Sequence, residues 1–242
     1  MTPTDATPRV SVVVPAFNEA TILAATIEHL TAGLRERGAQ FEIVVAENGS
    51  TDGTDHIADE LAVAHAEVRV EHITTPDYGA ALRAGLLAAR GTVVVNFDAD
   101  YYDLDFLDRA AAMVEPPDGP AIVVGSKRAP GADDTRVWAR RLVTTVFSTI
   151  LRVVFGLRLS DTHGMKAMRR AAVVPYAERC RFGRDLFDTE LVLRVERAGL
   201  ATAEIPVRVE ELRPARTSII RRVPRTIVAL VRLRLVLWRD RR

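Results

Sequence analysis

The sequence of 242 residues predicts an α/β protein whose mostly parallel sheet is flanked by helices. Three observations support this prediction. Apolar residues make up 48% of the chain, which is enough for an ordinary core. Short apolar runs alternate with segments of helical periodicity through the first 125 residues. The runs are continuous rather than alternating, as expected for strands that are buried on both faces.

The first half repeats one pattern, in which a strand is followed by a helix. Val10–Pro15 is a continuous apolar run, and Glu19–Arg37 has helical spacing that stops at Gly38. The same features predict further strands at Phe41–Ala46, Val68–Ile73, Thr92–Phe97 and Ala121–Gly125, and further helices at Thr51–His65, Tyr78–Arg90 and Leu104–Val114.

The second half departs from this alternation. Arg136–Phe155 and Leu186–Ala198 have helical periodicity, and Glu204–Val209 predicts a strand. Ile219–Arg242 mixes aliphatic residues and Trp238 with eight arginines and one aspartate, which predicts a basic amphipathic helix. We therefore expect one domain over residues 1–218, with a first half over about 9–125 and a second over about 126–218, followed by a C-terminal helix over 219–242.

Composition excludes several classes of protein. The single cysteine, Cys180, excludes a disulfide scaffold and fits a reducing compartment. No stretch reaches the roughly 18 uncharged apolar residues of a membrane span, and Met1–Arg9 lacks the pattern of a signal peptide, so neither is expected. The first 125 residues hold 7 basic and 20 acidic residues, whereas the rest hold 26 basic and 12 acidic, which suggests different partners for the two halves.

The motif Asp98-Ala99-Asp100 directly follows the predicted strand Thr92–Phe97. Ligands of parallel sheets bind beyond the carboxyl ends of the strands, and two carboxylates separated by one small residue can face one cleft there. Mg²⁺ and Mn²⁺ prefer such oxygen ligands, together with phosphate oxygens of a substrate. The alternative is a solvated acidic turn, because more aspartates follow, and the motif alone does not decide between them.

Two other strand ends carry polar loops. Glu47–Thr54 holds two glycines that permit tight turns and hydroxyls that can cap a helix, which suits recognition of a nucleobase or ribose. Pro15–Glu19 ends the first strand. For both segments the alternative is an ordinary loop that begins a helix.

These segments together resemble a known family. "VSVVVPAFNEA", "ENGSTDGT", "YGAALRAGLLAARG" and "VVVNFDAD" occur in order and are similar to the family 2 glycosyltransferases of the GT-A (Rossmann-like) fold. "IVVGSKR", "LSDTHGMKAMRR", "FDTELVLRVERAGL" and "RPARTS" resemble the polyprenol-phosphate (dolichol-phosphate) mannosyl- and glucosyltransferase branch. The resemblance covers roughly residues 9–222. It implies transfer of a hexose from GDP-mannose, UDP-glucose or a similar donor to a polyprenyl phosphate, with Mg²⁺ or Mn²⁺ as cofactor.

The resemblance also implies roles for individual residues. Asp98 and Asp100 would hold the metal on the donor diphosphate, and Asp100 would be catalytic. Arg128, Arg213 and Ser218 would contact the donor or acceptor phosphate, with Arg128 also catalytic. The nucleotide would be bound by Pro15, Ala16, Asn18, Glu19, Glu47, Asn48, Gly79, Arg83, Asp98 and Ala99.

The chain departs from the family pattern at four places. Glu47-Asn48 stands where the family usually has Asp-Asp, which leaves the base of the donor open. Tyr102 stands where the branch often has a metal-binding Gln, and Met165 replaces a Phe. The closing motif lacks its lysine, because Ile219 follows Ser218.

The acceptor determines the mechanism and the alternatives. A lipid phosphate is already anionic and can attack without a strong base, and a single displacement would invert the anomeric centre. A soluble enzyme acting on a hydroxyl would need a general base, for which Asp185, Asp188 and Glu190 are candidates. Asp188 and Glu190 could equally be acidic residues that favour the first turn of a helix.

A second alternative is a non-catalytic protein that binds nucleic acid or another anionic surface through the basic half. The chain lacks aromatic interleaving or a recognition module, so we expect no nucleic acid partner. We expect instead peripheral contact with the cytoplasmic face of a membrane through Ile219–Trp238, with a separate membrane protein as a further candidate partner.

Overall fold

The computed structural model describes residues 7–127, 129, 133–134, 145–183, 186–209 and 219–240. Its centre is a seven-stranded sheet, accompanied by a separate two-stranded one. The strands are β1 (Val10–Ala16), β2 (Phe41–Glu47), β3 (Val68–His72), β4 (Val93–Asn96), β5 (Ile122–Ser126), β6 (Asp133–Asp134), β7 (Lys166–Arg169), β8 (Thr202–Pro206) and β9 (Arg208–Val209).

Helices connect and cover these strands. The fifth, α5, runs over residues 145–150 and continues as a π-helical turn, Leu151–Phe155. The others are α1 (Leu23–Glu36), α2 (Thr54–Ala64), α3 (Tyr78–Ala88), α4 (Leu104–Val114), α6 (Arg170–Ala177), α7 (Phe187–Arg197) and α8 (Ile219–Arg239). The predicted helix Arg136–Phe155 is helical over its described part, and its residues 136–144 lie outside the described residues.

The strand order β3-β2-β1-β4-β7-β5-β8 confirms the predicted mostly parallel sheet. Strands β1 to β4 run parallel, and β5 pairs with β8 in parallel. Strand β7 lies antiparallel between β4 and β5, so its first residue, Lys166, pairs with Asn96 at the end of β4. Neither β7 nor α6 is among the predicted elements, since Lys166 and Arg169 break up the apolar pattern of a four-residue strand.

Each face of the sheet has its own core. One core joins α1, α2 and α4 to the sheet and includes Leu30 and Phe106. The other joins α3, α6, α7 and α8 and includes Leu82 and Leu191. The predicted strand Glu204–Val209 is split in two, since β8 pairs with β5 in the seven-stranded sheet whereas β9 pairs with β6 in the two-stranded one.

The C-terminal helix α8 has two apolar faces. Leu230, Leu233 and Leu237 are buried in the second core and recur at intervals of three and four residues. A second set stays about half exposed and comprises Ile227, Val228, Val231, Leu235 and Trp238. Within the described ranges, no helix combines the length and apolar character needed to cross a membrane.

Candidate active site

The carboxyl end of β4 presents the two aspartates of the Asp-Ala-Asp motif on a tight turn. The amide of Asp98 donates to the carbonyl of Tyr101, and the amide of Tyr101 donates back, both at 3.1 Å. Ala99 is buried, and its carbonyl accepts a 2.7 Å hydrogen bond from Thr26 on α1. Asp100 is exposed and Asp98 is partly exposed. The turn is therefore fixed from both sides while its carboxylates remain accessible.

Negative charge is concentrated around Asp98. Burial raises the pKa of the Asp98 carboxyl, and Asp100 and Asp188 raise it further. The Tyr78 hydroxyl, which donates to Asp98 Oδ1 at 2.8 Å, and the Lys166 ammonium act in the opposite direction without reversing the shift. A bound cation would relieve this crowding.

The donor set fits a divalent cation that is shared with a substrate. Among the described residues, no three His, Cys, Asp or Glu side chains are arranged to hold a metal ion by themselves. Mg²⁺ and Mn²⁺ sites commonly use one or two carboxylates and complete their octahedron with water and substrate phosphate oxygens. Asp98 and Asp100 would supply the carboxylates of such a site.

Asn18 joins the loop after β1 to the loop after β2. Its backbone has φ of 55°, a left-handed conformation that asparagine tolerates better than most residues. Its amide donates to Ser50 Oγ at 3.0 Å, and its Oδ1 accepts from the amide of Thr51 at 2.9 Å. The amide of Glu19 donates to Thr54 Oγ1 at 2.9 Å. Both predicted nucleotide residues therefore brace one loop against the other.

Asp52 also joins these two loops, although the sequence analysis did not select it as a candidate residue. Its carboxylate accepts hydrogen bonds from the amides of Ala20, at 3.2 Å, and Thr54, at 3.1 Å. The hydrogen bond from the Thr54 hydroxyl is the main cause of its lowered pKa. An aspartate two residues before the start of a helix is a turn signal that could have identified it.

Glu47 and Asn48, which form one of the four departures from the family pattern, hold loops in place. The Glu47 carboxylate accepts from the amides of Gly49, at 3.2 Å, and Ser50, at 2.7 Å. Asn48 Oδ1 accepts from the amide of Asp77 at 2.8 Å, immediately before α3. Both side chains are almost fully buried, so contact with a nucleobase stays a prediction for them.

The remaining predicted nucleotide residues lie around the same edge. Pro15 and Ala16 are the buried last residues of β1, and Gly79 is buried in the first turn of α3. Arg83 lies one turn further along α3, where its guanidinium donates to the carbonyls of Ala177 and Glu178, both at 2.9 Å. Arg83 thus ties α3 to the end of α6, and its contact with a nucleotide stays a prediction.

Asp188 and Glu190, the candidate bases, are both engaged. Asp188 Oδ1 lies 2.7 Å from the Nζ of Lys166, and these two side chains are 7% and 1% exposed. Glu190 is fully buried. One of its oxygens accepts from the amides of Arg181 and Phe182, and the other lies 2.8 Å from the Arg194 guanidinium. Three predicted phosphate residues, Arg128, Arg213 and Ser218, and the third candidate base, Asp185, lie outside the described residues.

Sequence reasoning missed two side chains near the aspartates, Tyr78 and Lys166. Tyr78 begins a helix, and nothing in its local sequence shows that it reaches Asp98. The sequence gives only a weak indication that Lys166 has a special role, because it is one of two lysines among 33 basic residues. Its burial depends on β7, which was not predicted.

Comparison with known sequences identifies relatives of this chain. The profile of the family described as glycosyl transferase family 2 matches residues 11–175. The undecaprenyl-phosphate mannosyltransferase of Micrococcus luteus is 32% identical over 213 residues, which cover 82% of each chain. The dolichyl-phosphate beta-glucosyltransferase of Drosophila melanogaster is 30% identical over 84% of this chain and 67% of its own. Glycosyltransferase AglD of Haloferax volcanii is 32% identical over 82% of this chain, which spans only 32% of that relative.

Solved structures share the architecture. The mannosyltransferase PcManGT from Pyrobaculum calidifontis, in complex with GDP-Man and Mn²⁺, superposes with a TM-score of 0.59 at 24% identity, over 92% of this chain and 62% of its own. The glucosyl-3-phosphoglycerate synthase from Mycobacterium tuberculosis, in complex with Mn²⁺, UDP and phosphoglyceric acid, gives 0.64 at 22% identity, over 96% and 80%. The fold is that of GT-A proteins, and the matched profile shows that this chain belongs to glycosyl transferase family 2.

Proposed function

We propose that this glycosyltransferase moves a hexose from a GDP-mannose or UDP-glucose type of donor to a polyprenyl phosphate at a membrane surface. The transfer inverts the anomeric centre and uses Mg²⁺ or Mn²⁺. Relatives named for undecaprenyl-phosphate and dolichyl-phosphate transfer support the acceptor. Complexes of fold relatives with Mn²⁺ and a nucleotide support the cofactor.

The observation that carries the choice of acceptor is that the two candidate bases within the described residues, Asp188 and Glu190, are both held by other groups. A hydroxyl acceptor needs a carboxylate or imidazole that is free to take its proton. Asp188 would have to break a buried ion pair with Lys166 to do so, and Glu190 would have to release two backbone amides and Arg194. A phosphate acceptor is anionic at neutral pH and therefore needs no group to take a proton from it.

The residues of the site then have distinct tasks. A divalent cation bound there would supply neutralisation of the charge on the departing nucleoside diphosphate. Asp98 and Asp100 would hold it, and their rigid turn fixes where the diphosphate lies. Arg128, Arg213 and Ser218 remain our candidates for phosphate contacts on the donor or the acceptor. Attack by the acceptor oxygen on the face opposite the leaving group gives the inverted anomer.

A donor screen tests this proposal. Radiolabelled GDP-mannose and UDP-glucose would each be incubated with Mn²⁺ or Mg²⁺ and a short polyprenyl phosphate, and label entering the lipid phase would be counted. We expect metal-dependent labelling from one donor and a loss of at least about 100-fold in Asp100→Ala, equivalent to about 2.7 kcal/mol of transition-state stabilisation. The matched control is Asp105→Ala, whose carboxylate is 88% exposed on α4.

Three outcomes would contradict the proposal. Transfer to a soluble hydroxyl acceptor, with no labelling of lipid, would favour the soluble enzyme with a general base. Absence of binding to either donor would remove the support for both enzymes. A product that retains the donor's anomeric configuration would overturn the single displacement.

We further propose that α8 places the domain on the cytoplasmic face of the membrane. Its outer face carries exposed Val231, Leu235 and Trp238, and Arg232 and Arg234 are exposed beside them. Apolar residues interspersed with arginine on one helix suit the boundary of an anionic bilayer, where aliphatic groups enter and guanidinium groups stay at the headgroups.

Sedimentation with vesicles tests this contact. We expect binding to phosphatidylglycerol-containing vesicles, weaker binding to neutral phosphatidylcholine vesicles, and at least about tenfold weaker binding in Val231→Glu, since burying one aliphatic side chain contributes about 1.5–3 kcal/mol. Val63→Glu is the control, because Val63 is 89% exposed on α2. Equal losses in both variants, or no binding of the wild type, would contradict the contact and favour a separate membrane protein as the anchor.

A further inference from the structure

Tyr78 connects helix α3 to the end of β4. It is the first residue of α3, and its hydroxyl donates to Asp98 Oδ1 at 2.8 Å. The ring is 38% exposed, so the residue is not held in place by burial alone. A phenol that donates to one oxygen of a carboxylate fixes the rotation of that carboxylate and leaves the second oxygen directed elsewhere.

Both partners of this hydrogen bond are anchored. Asp98 is held by its paired backbone hydrogen bonds with Tyr101. Tyr78 follows Asp77, whose Oδ1 accepts from the amide of Ala80 at 3.0 Å and whose own amide donates to Asn48. A fixed donor on one side and a fixed acceptor on the other allow little variation in the geometry between them.

A third segment supports the start of α3. Gly183 packs so closely on the Asp77 side chain that a Cβ at this position would come within 2.3 Å of a carboxylate oxygen. The loop after β2, which contains Asn48, and the segment that precedes α7 therefore meet at Asp77. The position of the Tyr78 hydroxyl depends on both.

The hydrogen bond from Tyr78 limits rotation of the Asp98 carboxylate about its side-chain bonds. Without it, a rotation would move the oxygens away from the place where they can share a cation with Asp100.

We propose that Tyr78 is a positioning residue that holds Asp98 in the orientation required to bind the divalent cation. This inference rests on the metal use in the proposed function. Tyr78 itself touches neither the cation nor the substrate in this role. Second-sphere partners of metal-binding carboxylates typically contribute 10- to 100-fold to metal affinity, and we expect about that much here.

Binding of Mn²⁺ to Tyr78→Phe tests the inference. Free and bound Mn²⁺ would be separated by electron paramagnetic resonance in the presence of GDP or UDP, for the full chain. We expect about 10- to 100-fold weaker Mn²⁺ binding in the variant, with unchanged affinity for the nucleotide alone and an unchanged Tm. Activity at saturating Mn²⁺ should return close to the wild-type kcat, while the KM for Mn²⁺ rises.

The matched control is Tyr176→Phe, which removes a tyrosine hydroxyl from α6. Wild-type Mn²⁺ affinity in Tyr78→Phe, or equal weakening in both variants, would overturn the role of Tyr78 and leave the proposed function intact. Failure of the wild type to bind Mn²⁺ with either nucleotide would overturn the metal use of the proposed function, and this inference with it.

Discussion

The two halves of the site are held together by different forces. In the first half, Asn18 joins the loop after β1 to the loop after β2, and Asn48 joins the loop after β2 to the start of α3, in each case through hydrogen bonds between side chain and backbone. In the second half, buried charges hold the elements, with Lys166 paired to Asp188 and Arg194 paired to Glu190. Hydrogen bonds to neutral groups each contribute modestly, whereas a buried charge that loses its partner is very costly.

The difference predicts how each half responds to change. The half formed by the loops after β1 and β2 should tolerate the loss of a single hydrogen bond, because several such bonds hold it together. The half that contains the two buried ion pairs should lose much of its stability when one member of a pair is removed. Three substitutions, taken from the largest expected effect to the smallest, test this contrast.

Lys166→Met should be the most damaging. It leaves Asp188 buried without its 2.7 Å partner, and we expect a loss of about 3–5 kcal/mol in the free energy of unfolding, measured by urea titration. The double variant Lys166→Met/Asp188→Leu should recover most of this loss, because neither charge remains buried. A single variant within about 1 kcal/mol of wild type would show that the pair does not hold this half.

Asn48→Ala should have a smaller effect. It removes the acceptor of the Asp77 amide, and we expect a loss of about 1–3 kcal/mol in the free energy of unfolding. Asn48→Asp keeps an acceptor oxygen and should retain most of the stability. A loss in Asn48→Ala as large as that in Lys166→Met would remove the contrast between the halves.

His72, the last residue of β3, makes a pH-dependent contribution to the stability of the first half. Burial lowers the pKa of its imidazole, but Asp59 at 3.0 Å and Glu47 at 3.6 Å outweigh burial, so the pKa lies above its ordinary value of 6.5. The resulting stabilisation is complete below about pH 6.5 and is lost as pH rises through the folded pKa.

His72→Gln should therefore lower the free energy of unfolding more at pH 5.5 than at pH 8.5. The difference should stay below about 1 kcal/mol, because the ring is exposed and its ion pairs are screened. Urea titrations at the two pH values measure it. An effect that is larger at pH 8.5 would contradict the assigned direction.

The first half of the fold was predictable, because its elements follow the two simple periodicities of strands and helices. The predicted strand Val10–Pro15 and helix Leu104–Val114 match β1 and α4 within one residue. The placement of Asp98 and Asp100 at a strand end follows from the same pattern, since carboxyl ends of parallel strands share one edge.

The second half was harder, because its contacts join residues that are distant in sequence. Strand β7 is four residues long and begins with a lysine, so neither length nor pattern marks it as a central strand. Asp188 and Glu190 were candidate bases for a hydroxyl acceptor, with an acidic first turn of a helix as the alternative interpretation. Their partners include Lys166 on β7 and the amide of Arg181, and local sequence does not show that these groups lie beside the two carboxylates.

The antiparallel direction of β7 determines which loop can change the site without disturbing the sheet. A parallel strand delivers its last residue to the functional edge, and the following loop must then lead into the next helix. Strand β7 delivers its first residue, Lys166, so the loop that enters the site belongs to the segment before the strand. Insertions in that entry loop would change this edge of the sheet while the parallel strands β1 to β4 keep their register, which makes the loop a natural position for redesign of the site.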